Sequence, residues 1–343
     1  MAFFLTNFVG MSRKYSFVIP VYNRPEEIRE LLGSMTQLAD DIPFEVVVVE
    51  DGSTMSSEAV IREYETLLDI QYLVKQNTGP GDSRNYGMQR AKGNYFLILD
   101  SDCLLPSQYL EQVDQFLRSN FYHCFGGADA AHPEFNDFQK AVSHVMTSFL
   151  TTGGIRGSKH SLSQFEPRSF NMGISKEAFQ ASGGFGRIHP GEDPDLSLRL
   201  LSLGYQTVFL PGAFVYHKRR INLSKFNQQV KKFGRVRPII SRWHPASAKW
   251  TYWFPSLFVF GVLMSIILSW TLDPAFLWPL LIYCLLVLLE ATLKTARLKV
   301  GLLAVIVLFV QFFGYGIAFL SSTILIRLLR MDPEQTYPEL FFN

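Results

Sequence analysis

Cysteine is scarce in this sequence: three of the 343 residues are cysteine, and they lie far apart, at Cys103, Cys124 and Cys284. Such an odd, scattered set excludes a disulfide framework and a cysteine-based metal centre, and it favours a reducing compartment. A convincing Ser/His/Asp or Cys/His constellation for nucleophilic catalysis is also missing.

A basic residue is missing from the apolar first ten residues, so this stretch does not resemble a secretory signal peptide. A strand preceding the first domain, a tip that touches a membrane and a start at Met11 are the alternatives for it.

Acidic residues are absent from residues 217–250, where ten lysines and arginines occur. Residues 1–216 carry 25 acidic against 17 basic residues, and residues 251–343 carry five of each. Such shifts in charge mark different physical environments along the chain. We therefore predict a globular domain over 1–216, a basic amphipathic interfacial segment over 217–249, about three transmembrane helices over 250–330 and a C-terminal tail over 331–343.

Three apolar runs free of charged residues favour membrane helices: 250–270, 276–289 and 300–326. About 20 apolar residues in a helix cross the roughly 30 Å hydrocarbon core of a bilayer. The alternative is a buried helical core, but three such runs leave little polar surface to face water. The basic segments before the first run and between the second and third favour a cytoplasmic globular domain at the inner membrane. Glycines in the third run leave a kinked or re-entrant path open.

The basic segment has a helical pattern, with Leu223, Phe226, Val230 and Phe233 on one face. Lysines and arginines flank this stripe, which is typical of a helix that lies in the membrane interface with its cations toward anionic lipid. The alternative is an ordinary helix packed on protein. We do not expect a nucleic-acid partner, because the neighbouring apolar runs already account for the charge.

Strand and helix patterns alternate over residues 15–100. Strands are predicted at 15–21, 44–49, 69–74 and 95–99, with helices at 25–38, 57–68 and 82–91. This alternation predicts an α/β fold with a mainly parallel sheet and flanking helices. Ligands of such sheets bind beyond the carboxyl ends of the strands, where Asn23, Asp51 and Asp100 occur.

Two carboxylates, Asp100 and Asp102, follow the strand at 95–99 directly. Carboxylate oxygens are the ligands that Mg²⁺ and Mn²⁺ prefer, and a bound diphosphate completes the coordination of such ions. An Asp-rich turn without a metal is the alternative interpretation of this short motif.

Five motifs in order make a family resemblance: Ser16-Phe-Val-Ile-Pro-Val-Tyr-Asn23, Val49-Glu-Asp-Gly-Ser-Thr54, Asn77-Thr-Gly-Pro-Gly-Asp-Ser-Arg-Asn85, Asp100-Ser-Asp102 and Gly191-Glu-Asp193. Together they resemble the motifs of family 2 glycosyltransferases with the Rossmann-like GT-A fold, over about residues 15–217. The sequence departs from the family pattern at Glu50, where an aspartate is usual, and at Met55, where an acid is frequent.

The resemblance implies a nucleotide-sugar donor, with a UDP-sugar favoured, and Mg²⁺ or Mn²⁺ as cofactor. The implied donor-binding residues are Pro20, Tyr22, Asn23, Asp51, Asn77, Arg84, Asp100 and Ser101. Asp102 is the implied metal ligand, joined by His217, for which packing or phosphate contact is the alternative.

The resemblance also implies a single inverting displacement, with Asp193 as the base that deprotonates the acceptor hydroxyl. Asp195 is expected to cap the following helix, and the polar stretch 153–168 is expected to form a mobile loop. The implied acceptor or sugar-pocket residues are Asn171, Glu192, Arg235, Arg242 and Trp243.

Arg242 and Trp243 end a partial Q-x-x-R-W motif, in which Ile239 replaces the glutamine of processive polysaccharide synthases. We therefore expect transfer of a single sugar to a polyprenyl-linked or other lipid-linked acceptor, in surface polysaccharide or glycolipid synthesis. A processive synthase and a catalytically inactive membrane scaffold are the alternatives. A sugar-nucleotide pyrophosphorylase is excluded, because its glycine-rich loop is missing after the first strand.

Overall fold

We describe the protein from a computed structural model. The structure describes residues 14–38, 41–130, 135–152, 165–217 and 222–342. The N-terminal residues 1–10 and most of the polar stretch 153–168 lie outside these ranges.

The described residues form two compact units. The first unit is drawn from residues 14–130, 165–187 and 199–217, and the second from 135–152, 188–198 and 222–342. This division differs from the predicted boundary at residue 216, because two internal segments that precede the boundary cluster with the C-terminal part of the chain.

An eight-stranded sheet with the order β3-β2-β1-β4-β7-β6-β8-β5 forms the centre of the first unit. Its strands are β1 (Tyr15–Val21), β2 (Phe44–Asp51), β3 (Ile70–Lys75), β4 (Tyr95–Leu99), β5 (Cys103–Leu104), β6 (Cys124–Ala130), β7 (Asn171–Ser175) and β8 (Thr207–His217). The first four strands are parallel neighbours, β7 runs antiparallel to β4 and β6, and β5 runs antiparallel to β8. The predicted mainly parallel α/β fold is confirmed, and β1–β4 begin and end within two residues of their predicted bounds.

The α-helices of the chain follow in order: α1 (Pro25–Met35), α2 (Glu58–Tyr64), α3 (Pro80–Arg90), α4 (Tyr109–Ser119), α5 (Asp137–Thr147), α6 (Phe149–Thr152), α7 (Lys176–Ser182), α8 (Glu192–Ser202), α9 (Leu223–Trp243), α10 (Phe254–Thr271), α11 (Trp278–Thr295), α12 (Leu298–Ser322) and α13 (Pro333–Thr336). α1 shows why they form: proline occupies its first position, glutamates its first turn, and Ile28, Leu31 and Leu32 its buried face.

The central strands are buried on both faces, which is why β1, β2 and β4 are nearly continuous apolar runs. α3 lies very close to the sheet at Gly87, where an added Cβ would come 2.7 Å from a methyl of Val18. Since β1, β2 and β4 are parallel, their carboxyl ends share one edge, and the motif residues that follow them meet there.

Three helices of the second unit are long and apolar enough to cross a membrane, over Trp250–Thr271, Pro274–Thr295 and Leu298–Leu328. The third is continuous: α12 passes directly into a π-helical turn at Thr323–Leu328. The re-entrant alternative for this run is therefore wrong. Its glycines serve close packing, since a Cβ at Gly316 would lie 2.6 Å from the Pro255 carbonyl oxygen.

The middle of the apolar stripe of α9 is covered by protein, whereas Leu223 at its start is exposed. Phe226 and Val230 are buried in one cluster with Ala304 and Val307 of α12. These two side chains therefore contact the apolar face of α12, while the location of the segment at a membrane interface stays a prediction. The alternative of a helix packed on protein is what the structure shows.

α5 explains why residues before the predicted boundary belong to the second unit. Its Ala141, Val142 and Val145 are buried in the cluster that contains α12 residues. Although α5 precedes the predicted boundary, it therefore packs on the apolar helices.

Candidate functional site

The pairing of β5 with β8 brings a carboxylate and an imidazole together at the edge of the sheet. Cys103 and His217 are register partners across these strands. Asp102 directly precedes β5, so its Oδ1 lies 3.0 Å from His217 Nε2. Both side chains are 12% exposed, and the ring of Phe170 stacks on His217 at a centroid distance of 5.0 Å. The structure thus joins the two residues that the sequence assigned to a metal.

Arg24 completes the surroundings of Asp102, with Nη1 2.8 Å from Oδ2. Burial by itself raises the pKa of Asp102, but the hydrogen bond and charge of His217 and the charge of Arg24 outweigh it. The net result is a pKa lowered to about 2. Asp102 is therefore ionised throughout the neutral pH range.

The ligand set suits a hard divalent ion. A carboxylate oxygen of Asp102, an imidazole nitrogen of His217 and the sulfur of Cys103 lie within 4.8 Å of one another. Carboxylate and imidazole are suitable ligands for Mn²⁺ and Mg²⁺, while a neutral thiol is a poor one. Burial raises the pKa of Cys103, so this thiol stays protonated. Asp102 and His217 fit the ion, and Cys103 serves as a buried neighbour.

Arg84 and Asp100 form a second pair at the same edge. Arg84 is buried, donates from Nη2 to Asp100 Oδ1 at 2.7 Å, and lies over the ring of Phe185 at 5.3 Å. Ser101, between the two aspartates, is also buried. An arginine held in this way keeps its planar group in one orientation, which suits a diphosphate or a nucleobase edge.

Asp51 holds the loop that carries the third motif. Its carboxylate accepts hydrogen bonds from the backbone N–H groups of Thr78 and Gly79, both at 3.0 Å. It also forms an ion pair with Lys75 Nζ at 2.6 Å. Asn77 donates from its side chain to the Asp51 carbonyl at 3.0 Å. These contacts place Asp51 and Asn77 together beside β2, with the loop fixed in one conformation.

Glu50, the departure from the family pattern, lies inside the fold. Its carboxylate accepts from Ser57 N at 2.8 Å, from the Tyr72 hydroxyl at 2.9 Å and from Ser53 Oγ. Burial, followed by the contact with Glu50, raises the pKa of Tyr72 to about 12, despite the opposing hydrogen bond of Ser56. Glu50 therefore shapes the turn after β2.

Asn23 links the ends of β1 and β2. It adopts a left-handed conformation with φ of 54°, and its side-chain oxygen accepts from Thr54 N at 2.8 Å and Met55 N at 2.9 Å. The neighbouring Tyr22 is half exposed and Pro20 is partly buried. Asn23 thus positions the loop, while Tyr22 presents a ring to solvent at the site edge.

Asn171 lies in the core of the first unit. It is fully buried; its oxygen accepts from the Tyr109 hydroxyl at 2.7 Å, and its amide donates to the carbonyls of Ala128 and Ala213. This network joins β7 to the bulged pair of β6 and β8. Its observed contacts are those of a structural residue.

The acidic turn Gly191–Asp195 opens α8 in the second unit. Glu192 is buried and contacts His189 Nδ1 at 2.8 Å, and Asp195 contacts His244 Nε2 at 2.9 Å. Asp193 is partly exposed, and its carbonyl accepts from Ser197 Oγ at 2.9 Å in the first turn of α8. Asp195, expected as a helix cap, thus pairs with a histidine from the end of α9.

The C-terminal segment packs beside this turn. His189 N donates to the Leu340 carbonyl at 2.7 Å, and Ile188 forms a β-bridge with Phe341. Tyr337 and Leu340 are buried with Val236 and Ile239 of α9. The segment predicted as a tail is therefore an ordered part of the second unit.

The predicted acceptor residues of α9 contact that same segment. Arg235 pairs with Glu339 at 2.8 Å, and Arg242 donates to the carbonyls of Ile326 and Met331. Trp243 is 42% exposed, and its ring lies edge-to-face with that of Phe341 at a centroid distance of 6.2 Å. Sequence reasoning missed Arg24, Lys75 and His244; the first two lie next to recognised motifs, whereas His244 gave no signal.

Comparison with known proteins finds a family match for the N-terminal half of the chain. Residues 16–181 match the family described as Glycosyl transferase family 2. Chondroitin synthase of Escherichia coli is 38% identical over 150 residues, covering 41% of this chain and 22% of that protein. The poly(ribitol-phosphate) beta-N-acetylglucosaminyltransferase TarS of Staphylococcus aureus is 34% identical over 109 residues, covering 30% of this chain and 19% of that protein. The chain thus spans about a fifth of the length of these relatives.

Among solved structures, the fold is similar to that of the mannosyltransferase PcManGT from Pyrobaculum calidifontis, solved in complex with GDP-Man and Mn²⁺. The TM-score is 0.56 at 15% sequence identity, and the match covers 94% of this chain and 89% of that one.

Proposed function

Because the chain belongs to glycosyltransferase family 2, we propose that it transfers a single sugar from a nucleotide sugar to a lipid-linked acceptor. A UDP-sugar is the favoured donor, and a polyprenyl-linked saccharide the favoured acceptor. The observation that carries the proposal is the Asp102–His217 pair, formed at the strand edge where the Asp51, Arg84 and Asp100 side chains also lie.

The donor side rests on three groups of residues. Tyr22 offers a ring for the nucleobase, the loop fixed by Asp51 offers backbone groups, and Arg84 offers a guanidinium for the diphosphate. Asp102 and His217 would hold Mg²⁺ or Mn²⁺, which neutralises charge on the departing diphosphate. The mannosyltransferase of similar fold was solved with GDP-Man and Mn²⁺, which supports a nucleotide sugar and a divalent ion in this proposal.

Asp193 is the proposed base of the reaction. Its carboxylate takes the proton of the acceptor hydroxyl as the oxygen attacks the anomeric carbon and the bond to the nucleotide breaks. One displacement inverts the configuration at that carbon. Glu192 and Asp195 are each held by a histidine, so they support the turn that presents Asp193.

The acceptor side rests on the membrane helices. Helices α10–α12 are long and apolar enough to hold the chain in a bilayer, and the basic segment before them favours the cytoplasmic face of the inner membrane. An acceptor with a lipid anchor is concentrated at that surface, which is why we favour it over a soluble sugar.

The test combines donor binding with transfer. The full-length protein in detergent or nanodiscs is screened with UDP-, GDP- and dTDP-sugars for thermal stabilisation in Mn²⁺ and in EDTA. The best donor is then assayed with polyprenyl-diphosphate saccharides. We expect Mn²⁺-dependent stabilisation by one nucleotide class and a product one sugar longer than the acceptor.

Controls separate the parts of the proposal. Asp102→Asn should remove the Mn²⁺-dependent stabilisation, whereas Glu63→Gln, at an exposed acid of α2, should leave it unchanged. A ladder of products would show a processive synthase instead. Wild-type stabilisation without any transfer or donor hydrolysis would support an inactive scaffold.

A further inference from the structure

Helices α5 and α6 carry an uncharged run that the predicted membrane helices do not include. From Ala141 to Ile155 there is no lysine, arginine, aspartate or glutamate. In the described part of this run, α5 packs along α12 and contacts α11. The run is thus a further apolar stretch in direct contact with two candidate membrane spans.

Contacts with α11 and with the turn before α12 show the direction in which the run lies along α11. Just before the run, Asp137 pairs with Arg297 at 2.9 Å, in the basic turn between α11 and α12. Further on, Ser148 Oγ donates to Glu290 at 2.5 Å, and at the end the Leu150 carbonyl accepts from the Tyr283 hydroxyl at 2.9 Å. The partners move steadily from the charged end of α11 toward its other end.

Helix geometry turns these contacts into a depth. With a rise of 1.5 Å per residue, Glu290 lies about 8 Å, and Tyr283 about 18 Å, from Thr295 along α11. The hydrocarbon core of a bilayer is about 30 Å thick. If α11 spans it, Leu150 lies near the middle of the bilayer.

The polar groups at the end of this run are satisfied within the protein. Thr147 donates to the Ser143 carbonyl at 2.8 Å, Thr151 to the Val145 carbonyl at 2.5 Å, and Thr152 to the Ser148 carbonyl at 2.9 Å. With Ser148 bonded to Glu290, all four hydroxyls of residues 147–152 have a protein acceptor. This is what a segment needs where water is scarce.

Large apolar side chains at the tip remain uncovered by protein. Phe149 is 74% exposed and Leu150, which contacts α11, is 39% exposed. The outer faces of α10 and α11 are exposed and apolar in the same way. We propose that residues 141–152 insert into the bilayer beside α11 and α12 as a fourth, re-entrant membrane segment, with the Phe149 side chain in the acyl-chain region.

This proposal does not rest on sugar transfer. Its consequence is that the chain enters the membrane between β6 and β7, in the middle of the family 2 domain, as well as after α9. The bilayer would then restrain the chain both within the family 2 domain and after it.

Spin labelling of the full-length protein in liposomes of phosphatidylcholine and phosphatidylglycerol tests the depth. A nitroxide is attached at Phe149→Cys in a background whose native cysteines are replaced by alanine. Matched labels are placed at Leu263→Cys in α10 and Leu203→Cys after α8, both at exposed leucines. Collision rates are measured with oxygen, which enters the bilayer, and with a water-soluble nickel chelate.

We expect the Phe149 label to behave like the Leu263 label, with frequent oxygen collisions and few nickel collisions, and the Leu203 label to behave in the opposite way. Nickel access at Phe149 equal to that at Leu203 would overturn the proposal. Nickel access at Leu263 would also overturn it, because α10 would then lie outside the bilayer.

The unmodified protein provides a second measurement in case the cysteine-free background fails to fold. It is reconstituted with a phospholipid that carries a diazirine on its acyl chain, irradiated and mapped by mass spectrometry. Adducts on peptides of both α10 and residues 141–152 would support insertion, and adducts on α10 alone would exclude it. Neither experiment depends on activity, so its failure leaves the proposed transferase function intact.

Discussion

Asp102 and His217 lie 3.0 Å apart although 114 residues separate them in the chain, because the short strand β5 pairs in antiparallel register with the end of β8. The imidazole reaches this carboxylate because the register partner of His217 is Cys103, the residue after Asp102. The pair is therefore a product of strand pairing.

Replacing the histidine tests its role toward the metal. His217→Ala should weaken Mn²⁺ binding by about 10- to 100-fold, the usual effect of losing a ligand or its support. Mn²⁺ affinity is measured by electron paramagnetic resonance of the free ion. The matched control is His123→Ala, a partly buried histidine that contacts Ser175 away from β5. Equal Mn²⁺ affinity in all three proteins would show that His217 only packs against Phe170.

The lowered pKa of Asp102 predicts a pH dependence of stability. Since its pKa falls from 3.8 to about 2 in the folded protein, its contribution is fully present above about pH 4 and is lost as pH falls toward 2. The shift corresponds to about 2 kcal/mol. Thermal midpoints in EDTA should show an advantage of wild type over Asp102→Asn at pH 5 that fades below pH 4. An advantage that stays constant down to pH 2.5 would contradict this assignment.

The proposed base makes a kinetic prediction. Asp193→Asn should lower the rate of transfer by about 10²- to 10⁴-fold while donor binding is kept, since the base acts only on the acceptor proton. The matched control is Asp195→Asn, whose amide oxygen can still accept a hydrogen bond from His244. Both variants are compared by initial rates and by titration with the donor. Similar rates in the two variants would remove Asp193 from the mechanism.

The buried ion pair behind the loop of Thr78 and Gly79 predicts a loss of stability. Lys75 and Asp51 are 10% and 5% exposed, so Lys75→Met leaves a buried carboxylate without its cation and should cost about 3–5 kcal/mol. Nucleotide affinity should fall as well, because Asp51 holds the loop at Thr78 and Gly79. Arg62→Met breaks an exposed pair within α2 and should cost less than about 0.5 kcal/mol. Thermal midpoints and calorimetric titrations with UDP and GDP measure both effects; comparable losses would contradict the buried-pair argument.

The C-terminal segment predicts an effect of a distant residue on catalysis. Leu340 is buried beside Ile188, and its carbonyl accepts from His189, which precedes the acidic turn of Asp193. Leu340→Asp should therefore lower kcat more than it changes the donor KM. Glu339→Gln, which alters only an exposed pair with Arg235, should keep kcat close to wild type. Equal kcat in both variants would mean that the segment does not position the turn.

The local pattern of the sequence predicted the first half of the sheet well. β1 and β4 begin and end as predicted, because buried parallel strands are short apolar runs bounded by turn residues. The same pattern placed Asn23, Asp51 and Asp100 at strand ends. The ends of parallel neighbours share one edge, so the meeting of these residues followed from the sequence as well.

Contacts between distant segments were decided by the tertiary structure. Local periodicity showed that α9 and α5 have apolar faces, but it does not say whether lipid or another helix covers them. Phe226 and Val142 are covered by the cluster around α12 because a long apolar helix lies within reach. Likewise, nothing near Tyr337 or Leu340 indicates that they pack beside the acidic turn.

The sequence by itself determined the α/β fold, the family 2 motifs and the three apolar helices, because each depends on residues close together in the chain. Only the tertiary structure decided that His217 reaches Asp102, that Glu50 and Asn171 are occupied inside the fold, and that α5 packs on α12. Register and packing between distant segments depend on the shape of the whole chain, and the spacing of residues along it does not encode them locally.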